Sequence, residues 1–351
     1  MRVDFAASIL NGNDRGPRRI MKPKVVILTT GGTIGHRSNQ DGVAVMDFNP
    51  GDLVSEIGLP DIDLEFKEIM QKGSMDVVPD DWKAIATATA DAMVKEPRGV
   101  VILHGTDTMH YTAAALSFML QDPGVPIVLT GSMIPGGDIG SDSLPNLRDA
   151  IRVAARSDVA EVCVVFSADA ARAKGVIIRG NRARKVHSHA IDAFESINVS
   201  PIGYIENDEI VLTSLKTNRR KSSRLTLSTD LEQNVVLVKL NPAVTPGMLM
   251  RHLQASSGAV LEGTGVGHVK TDLHGVIASF ARPTVISTQT VYGGERLGSY
   301  DVDRRILDIP NIIPVGDMTS ETALVKLMWA LKQDGDITSL MQTDIAGELS
   351  D

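Results

Sequence analysis

The chain has 351 residues, more than one core usually serves, with 43% hydrophobic and 22% charged residues and a formal charge of −8. The negative charge disfavours nucleic acid as a main partner, and no run approaches the roughly 20 apolar residues of a membrane span. The single cysteine, Cys163, excludes an intrachain disulfide framework and reads as inert core in a reducing compartment.

Residues 1–22 read as a disordered tail. The apolar piece at 5–10 is too short for a signal-peptide core, and Arg15, Arg18 and Arg19 follow it instead of preceding it, which predicts a cytoplasmic protein. The run Val25-Val26-Ile27-Leu28 then predicts a fully buried parallel strand that ends in a glycine-flanked Thr33. Polar residues 36–48 predict a mobile loop over a cleft, and Asn49-Pro50 caps a short helix reaching about Gly58. A strand over 64–70 and a loop at Lys72-Gly73-Ser74-Met75-Asp76 come next. A helix over 79–95 carries Asp80 and Asp81 in its first turn, where they complement the helix dipole.

Strands at 99–104, 126–131 and 161–166 alternate with helices at 107–120 and 144–156, the signature of βαβ crossovers and a parallel sheet covered on both faces. Segments 175–180 and 183–188, joined by Gly180-Asn181, read as a β-hairpin. The basic, polar run Thr217-Asn218-Arg219-Arg220-Lys221-Ser222-Ser223-Arg224 reads as a solvated linker. Alternation resumes with strands at 235–240, 258–262, 284–288 and 312–315 and helices at 245–254, 271–281 and 319–333. The expected organisation is a tail (1–22), a larger N-terminal doubly wound α/β domain (23–212), a linker (213–230) and a smaller C-terminal α/β domain (231–351).

Several motif readings find little support. Gly263-Thr264-Gly265-Val266-Gly267 lacks the G-x-G-x-x-G spacing of a dinucleotide loop, and neither a Walker motif nor a G-x-S-x-G elbow occurs. His187 and His189 share one face of a predicted strand but have no further ligand at metal spacing, so they read as exposed structural histidines and no metal is predicted. What remains is threonine chemistry at two predicted strand ends, Thr33 and His104-Gly105-Thr106-Asp107-Thr108. A threonine hydroxyl is a weak nucleophile until a neighbour takes its proton, and Lys185, whose pKa would fall on burial, is the candidate base. From spacing alone, Thr33 and Thr106 read equally well as turn and helix-cap residues.

Thr30-Gly31-Gly32-Thr33-Ile34 and His104-Gly105-Thr106-Asp107-Thr108 resemble the two signature motifs of the bacterial-type L-asparaginase family. Further blocks agree: Gly131-Ser132-Met133, Asn146-Leu147-Arg148, Asp192-Ala193-Phe194-Glu195-Ser196, Leu261-Glu262-Gly263, Ser287-Thr288-Gln289 and Gly316-Asp317-Met318-Thr319. The likeness runs from about Lys24 to near the end and is strongest to the cytoplasmic type I branch. It implies a cytoplasmic homodimer or homotetramer that needs no metal or organic cofactor and acts on a small-molecule substrate. The implied reaction is hydrolysis of the side-chain amide of L-asparagine, with L-glutamine hydrolysis as a side activity. Carried over by motif, Thr33 matches the nucleophile, and Thr106, Asp107 and Lys185 match the group assisting it. Asp107 also matches the holder of the substrate α-ammonium, Ser74 the binder of its α-carboxylate, and Gly32, Gly105 and Met75 line the substrate.

The chain departs from the family twice. Met75 stands where the secreted branch usually has Gln, and residues 36–48 contain no tyrosine, so Val43 falls near the family's loop phenol. The resemblance also admits the asparaginase-like subunit of a tRNA-dependent amidotransferase, although only 23 residues precede the first predicted strand. A non-catalytic amino-acid-binding homologue is the remaining alternative.

Overall fold

The computed structural model describes residues 22–31, 36–38, 44–46, 56–214, 217–221, 224–298 and 300–350. Gly32, Thr33, Val43, the expected tail before Lys22 and the start of the expected helix at 49–58 lie outside the described residues. Of the segment 36–48, His36–Ser38 and Ala44–Met46 are described, as an antiparallel ladder.

Among the described residues the larger sheet has eight strands. β1 (Lys24–Thr29), β2 (Asp63–Glu68), β3 (Gly99–Leu103), β4 (Ile127–Thr130) and β5 (Val162–Ser167) run parallel in the order β2-β1-β3-β4-β5. The apolar runs of β1, β3, β4 and β5 are continuous because both faces are covered, whereas the edge strand β2 alternates Leu64 and Phe66 with charged residues. Val26, Leu28, Val100 and Ile102 enter the core on the side of α1 (Pro79–Met93) and α2 (Met109–Met119). Val25, Ile27, Val101 and Leu103 enter the core on the side of α3 (Ser143–Arg156). The period-two partition is that of a central strand, and Cys163 lies fully buried on the α3 side.

Beyond β5 the sheet changes sense. β6 (Lys174–Arg179), β9 (Gly203–Glu206) and β10 (Glu209–Leu212) add an antiparallel edge. The hairpin expected over 175–188 is therefore corrected: β6 pairs with β5 and β9, whereas β7 (Ala183–Lys185) pairs with β8 (Phe194–Ser196) in a separate ladder. The cause is the turn between them. Its Arg182 is fully buried and forks onto Asp317 of the C-terminal unit, while Thr322 donates to Asn181 O. Those long-range contacts pull the chain out of the sheet after Arg179. His187 and His189 consequently sit in the connection after β7 and not on a strand face; His187 Nδ1 accepts from the His189 and Ala190 amides.

The basic run is also corrected from solvated to anchored at Arg220, which donates to the carbonyls of Ser157, Ala154 and Arg98. It thereby caps the carboxyl end of α3, and burial together with the Arg98 charge draws its pKa down to about 10. Farther on, β11 (Val235–Lys239), β12 (Gly258–Gly263), β13 (Thr284–Thr288) and β14 (Ile312–Pro314) form a separate, wholly parallel sheet in that order. It is flanked by α4 (Pro246–Leu253), α5 (His274–Phe280), α6 (Asp301–Leu307), α7 (Ser320–Ala330) and α8 (Ile337–Gln342). The Gly263–Gly267 turn is closed by a bridge between Thr264 and His268, which leaves it a tight strand-end turn. Lys326 of α7 and Glu348 form a fully buried ion pair that fixes the carboxyl-terminal segment.

One half-buried carboxylate, Asp149, opposes the fold. Asp149 on α3 packs against Gly175, and burial, only partly offset by Arg152, raises its pKa to about 6. An acid whose folded pKa lies above its unfolded value destabilises the fold above the folded pKa, and the cost fades as the pH falls through it. Asp149→Asn is therefore expected to raise Tm at pH 8 by an amount worth on the order of 2 kcal/mol and to change it little near pH 4. Thermal unfolding of both proteins at the two pH values checks this.

Candidate active site

The site forms where β1 and β3 end at their carboxyl edges, the position at which open α/β sheets bind ligands. Thr30 continues β1 and is tied to β3 twice, by its amide and its hydroxyl on Leu103 O at 3.0 and 2.9 Å. Gly31 follows with φ +104°, and a Cβ there would lie 2.6 Å from Lys72 O, so only glycine permits this close passage. The Ser74–Asp76 turn is delivered to the same edge, and Lys72, ion-paired with Asp81 at 2.8 Å, pins it to α1.

At the end of β3, Gly105 lets the Ser74 turn press against the strand end: a Cβ on Gly105 would meet Ser74 Oγ at 2.7 Å. Ser74 Oγ accepts from Asp107 N at 3.1 Å, and Thr108 Oγ1 donates to Ser74 O at 2.6 Å. α2 begins only at Met109 with Thr108 as its cap residue, so Thr106 and Asp107 lie in the turn before the helix, which starts two residues later than expected.

Lys185 reaches this turn from a distant part of the chain. At the end of β7, held by pairing of Lys185 with Phe194 and by the Phe194 ring against Phe166, its Nζ donates to Thr106 Oγ1 at 2.8 Å and to Asp107 Oδ1 at 2.7 Å. The lysine side chain is 10% exposed and the Asp107 carboxylate 61%, so the amine is sheltered while one carboxylate oxygen remains open to the cleft. Thr106 and Ser74 are buried; Met75 is 76% exposed and turns its side chain outward.

Two histidines underlie the turn. Burial pushes His104 below the ordinary histidine range, and burial with the Arg184 and Lys185 charges takes His110 down to about 4, so both rings are neutral at pH 7. Of the residues expected from the sequence, Ser74, Gly105, Thr106, Asp107 and Lys185 converge; Gly32 and Thr33 lie outside the described residues.

Sequence reasoning missed Asp142. Fully buried before α3, it accepts from the amides of Met133 and Ile134 at 3.0 Å and from Asn146 Nδ2 at 2.9 Å. Asn146 also donates to Gly131 O and accepts from Ser167, so the network sets the strand-end loop after β4. Its only sequence signal is an aspartate at a helix start, which also marks ordinary caps. Among the described residues, no group of three or more metal-ligating side chains gathers, and no helix is long and apolar enough to cross a membrane.

Residues 24–218 match the family model described as asparaginase, N-terminal, and residues 234–343 match that of the glutaminase/asparaginase C-terminal domain. An L-asparaginase from Thermococcus kodakarensis is 37% identical over 338 residues, spanning 93% of this chain and 99% of that protein. The solved thermostable L-asparaginase from the same organism superposes with a TM-score of 0.84, covering 93% of this chain and 99% of that one at 36% identity. L-asparaginase I from Vibrio cholerae superposes with a TM-score of 0.81 at 30% identity, over 94% and 99% of the two chains. A glutamyl-tRNA(Gln) amidotransferase subunit from Methanosphaera stadtmanae is 36% identical over 345 residues, 93% of this chain and 77% of that protein.

Proposed function

The chain belongs to the asparaginase family, and from that premise we propose that it hydrolyses the side-chain amide of L-asparagine to L-aspartate and ammonia, with Thr33 as nucleophile. Family membership supports the coarser statement, a hydrolase of amide bonds. The observation that carries the finer one is Lys185 Nζ between Thr106 Oγ1 and Asp107 Oδ1 at a strand end. Such a set moves protons for a neighbouring hydroxyl.

In this reading Thr33 Oγ attacks the amide carbon and its proton passes to the Thr106–Lys185 pair. The carbonyl π electrons move to oxygen, and their return expels ammonia after the amide nitrogen takes up a proton. Water then hydrolyses the threonyl ester, releasing aspartate and restoring the hydroxyl. Backbone N–H groups that donate to the oxyanion are each worth about 3 kcal/mol to this step. Ser74 Oγ accepts from Asp107 N and so keeps its own proton to donate, which suits the substrate α-carboxylate. Asp107 spends one oxygen on Lys185 and offers the other to the α-ammonium. Met75 brings no hydrogen-bonding atom, and the weight of glutamine turnover depends on the rest of the cleft. No cofactor enters this chemistry, and we place the enzyme in the cytoplasm as a homo-oligomer.

The likeness to the amidotransferase subunit supports a second reading, in which the chain supplies ammonia to a partner. Ammonia release by the purified chain, with asparagine and glutamine in parallel, separates them. Turnover of asparagine by the chain alone is the expected result. Release that needs an added amidotransferase partner favours the second reading, and aspartate binding with no release from either amide leaves a binding homologue.

A further inference from the structure

His104 stands one residue before the Gly105-Thr106 turn with its ring buried beneath it. Its Nδ1 lies 2.7 Å from Gly105 O, and its Nε2 lies 3.0 Å from Thr112 Oγ1. A carbonyl oxygen can only accept, so Nδ1 carries the ring proton and Nε2 is the acceptor for the Thr112 hydroxyl. Burial pushes the ring's pKa down, which favours the neutral form that this hydrogen-bond pattern requires.

The consequence lies in the next peptide. C=O and N–H of a trans peptide point in opposite directions, and every described peptide bond here is trans. Holding Gly105 O down on the imidazole therefore turns the Thr106 N–H the other way, out of the core. Among the described residues nothing accepts from that N–H. Glycine at 105 imposes little rotational preference of its own, so the buried hydrogen bond selects the orientation.

We propose that His104, backed by Thr112, is a positioning residue that holds the Gly105–Thr106 peptide with its N–H facing the cleft as an oxyanion donor. This rests on the amidohydrolase reading, so the test has an arm that needs no turnover. Ring-nitrogen NMR of the full chain labelled with 15N-histidine reads the tautomer, His104→Asn assigns the signal, and Thr112→Val perturbs it. The expected signal at about pH 8 is a neutral ring with its proton on Nδ1.

In steady-state ammonia release, His104→Leu is expected to lower kcat about thirtyfold with KM within about threefold, since the donor acts mainly in the transition state. His104→Asn, whose Nδ2–H takes the place of Nδ1–H, is expected to keep kcat within about threefold of wild type, and Thr112→Val to lower it about fivefold. An Nε2–H or protonated ring overturns the proposal. So does an Asn variant as slow as the Leu variant, or a loss confined to KM. Should His104→Leu fail to fold, the Asn and Thr112→Val arms and the ring signal still decide. A wild type that releases no ammonia overturns the amidohydrolase reading instead, and the ring signal then decides whether the peptide is held.

Discussion

Thr33→Ala is expected to leave less than about one per cent of wild-type turnover while the protein folds and binds aspartate nearly as well. The substitution removes one hydroxyl and one methyl, and the far-UV spectrum and Tm serve as folding controls. The described surroundings favour this role for a hydroxyl at that place. β1 and β3 are bound at Thr30, and the next turn brings Thr106, with Lys185 on its oxygen. Thr106 Oγ1 is itself a hydroxyl bonded to the lysine, so Thr106→Ala measured beside Thr33→Ala tells nucleophile from relay. Residual turnover above about one per cent in the Thr33 variant, with loss of a covalent ester in the Thr106 variant, transfers the nucleophile to Thr106. Rapid-quench mass spectrometry of the wild-type chain with asparagine detects that ester.

Lys185→Met is expected to lower kcat by about a hundredfold to ten-thousandfold and to change KM by less than about threefold. Methionine keeps the unbranched stem that packs beside β8, so β7 and its ladder persist. The amine's contacts, 2.8 Å to Thr106 Oγ1 and 2.7 Å to Asp107 Oδ1, are with groups of the proposed proton route. Removing it leaves Asp107 in water, as the carboxylate is 61% exposed, so binding of an α-ammonium survives. A change confined to KM makes Lys185 a binding residue. Steady-state kinetics over several pH values, with the far-UV spectrum and Tm as folding controls, measures both parameters.

The difference between what is legible along the chain and what is not runs through particular residues. Val25 to Leu28 and Gly99 to Leu103 announce their places because a strand covered on both faces must be apolar at every position. The helix over Pro79–Met93 is written in its proline and first-turn aspartates. By contrast, nothing local in 174–185 says that β6 joins the large sheet and β7 leaves it. Arg182 on Asp317 and Thr322 on Asn181 decide that, across more than 130 residues of chain. The strands at 194–196 and 203–212 and the helices at 301–307 and 337–342 leave no comparable mark, being short elements whose identity comes from the surfaces they join.

The α/β class, the close passage at Gly31 and the polar residues of the Gly105-Thr106 turn follow from the order of residues alone, because glycine, buried strand runs and helix starts are local requirements that leave local marks. Packing of distant segments was needed to decide that Lys185 stands on Thr106 and Asp107, that Arg220 caps α3 instead of lying in solvent, and that His104 faces Gly105 O with Thr112 on its other nitrogen. Each of these is a meeting of groups brought together by the folded chain. A hydrogen bond is made or lost within a few tenths of an ångström, and no periodicity along the chain carries that information.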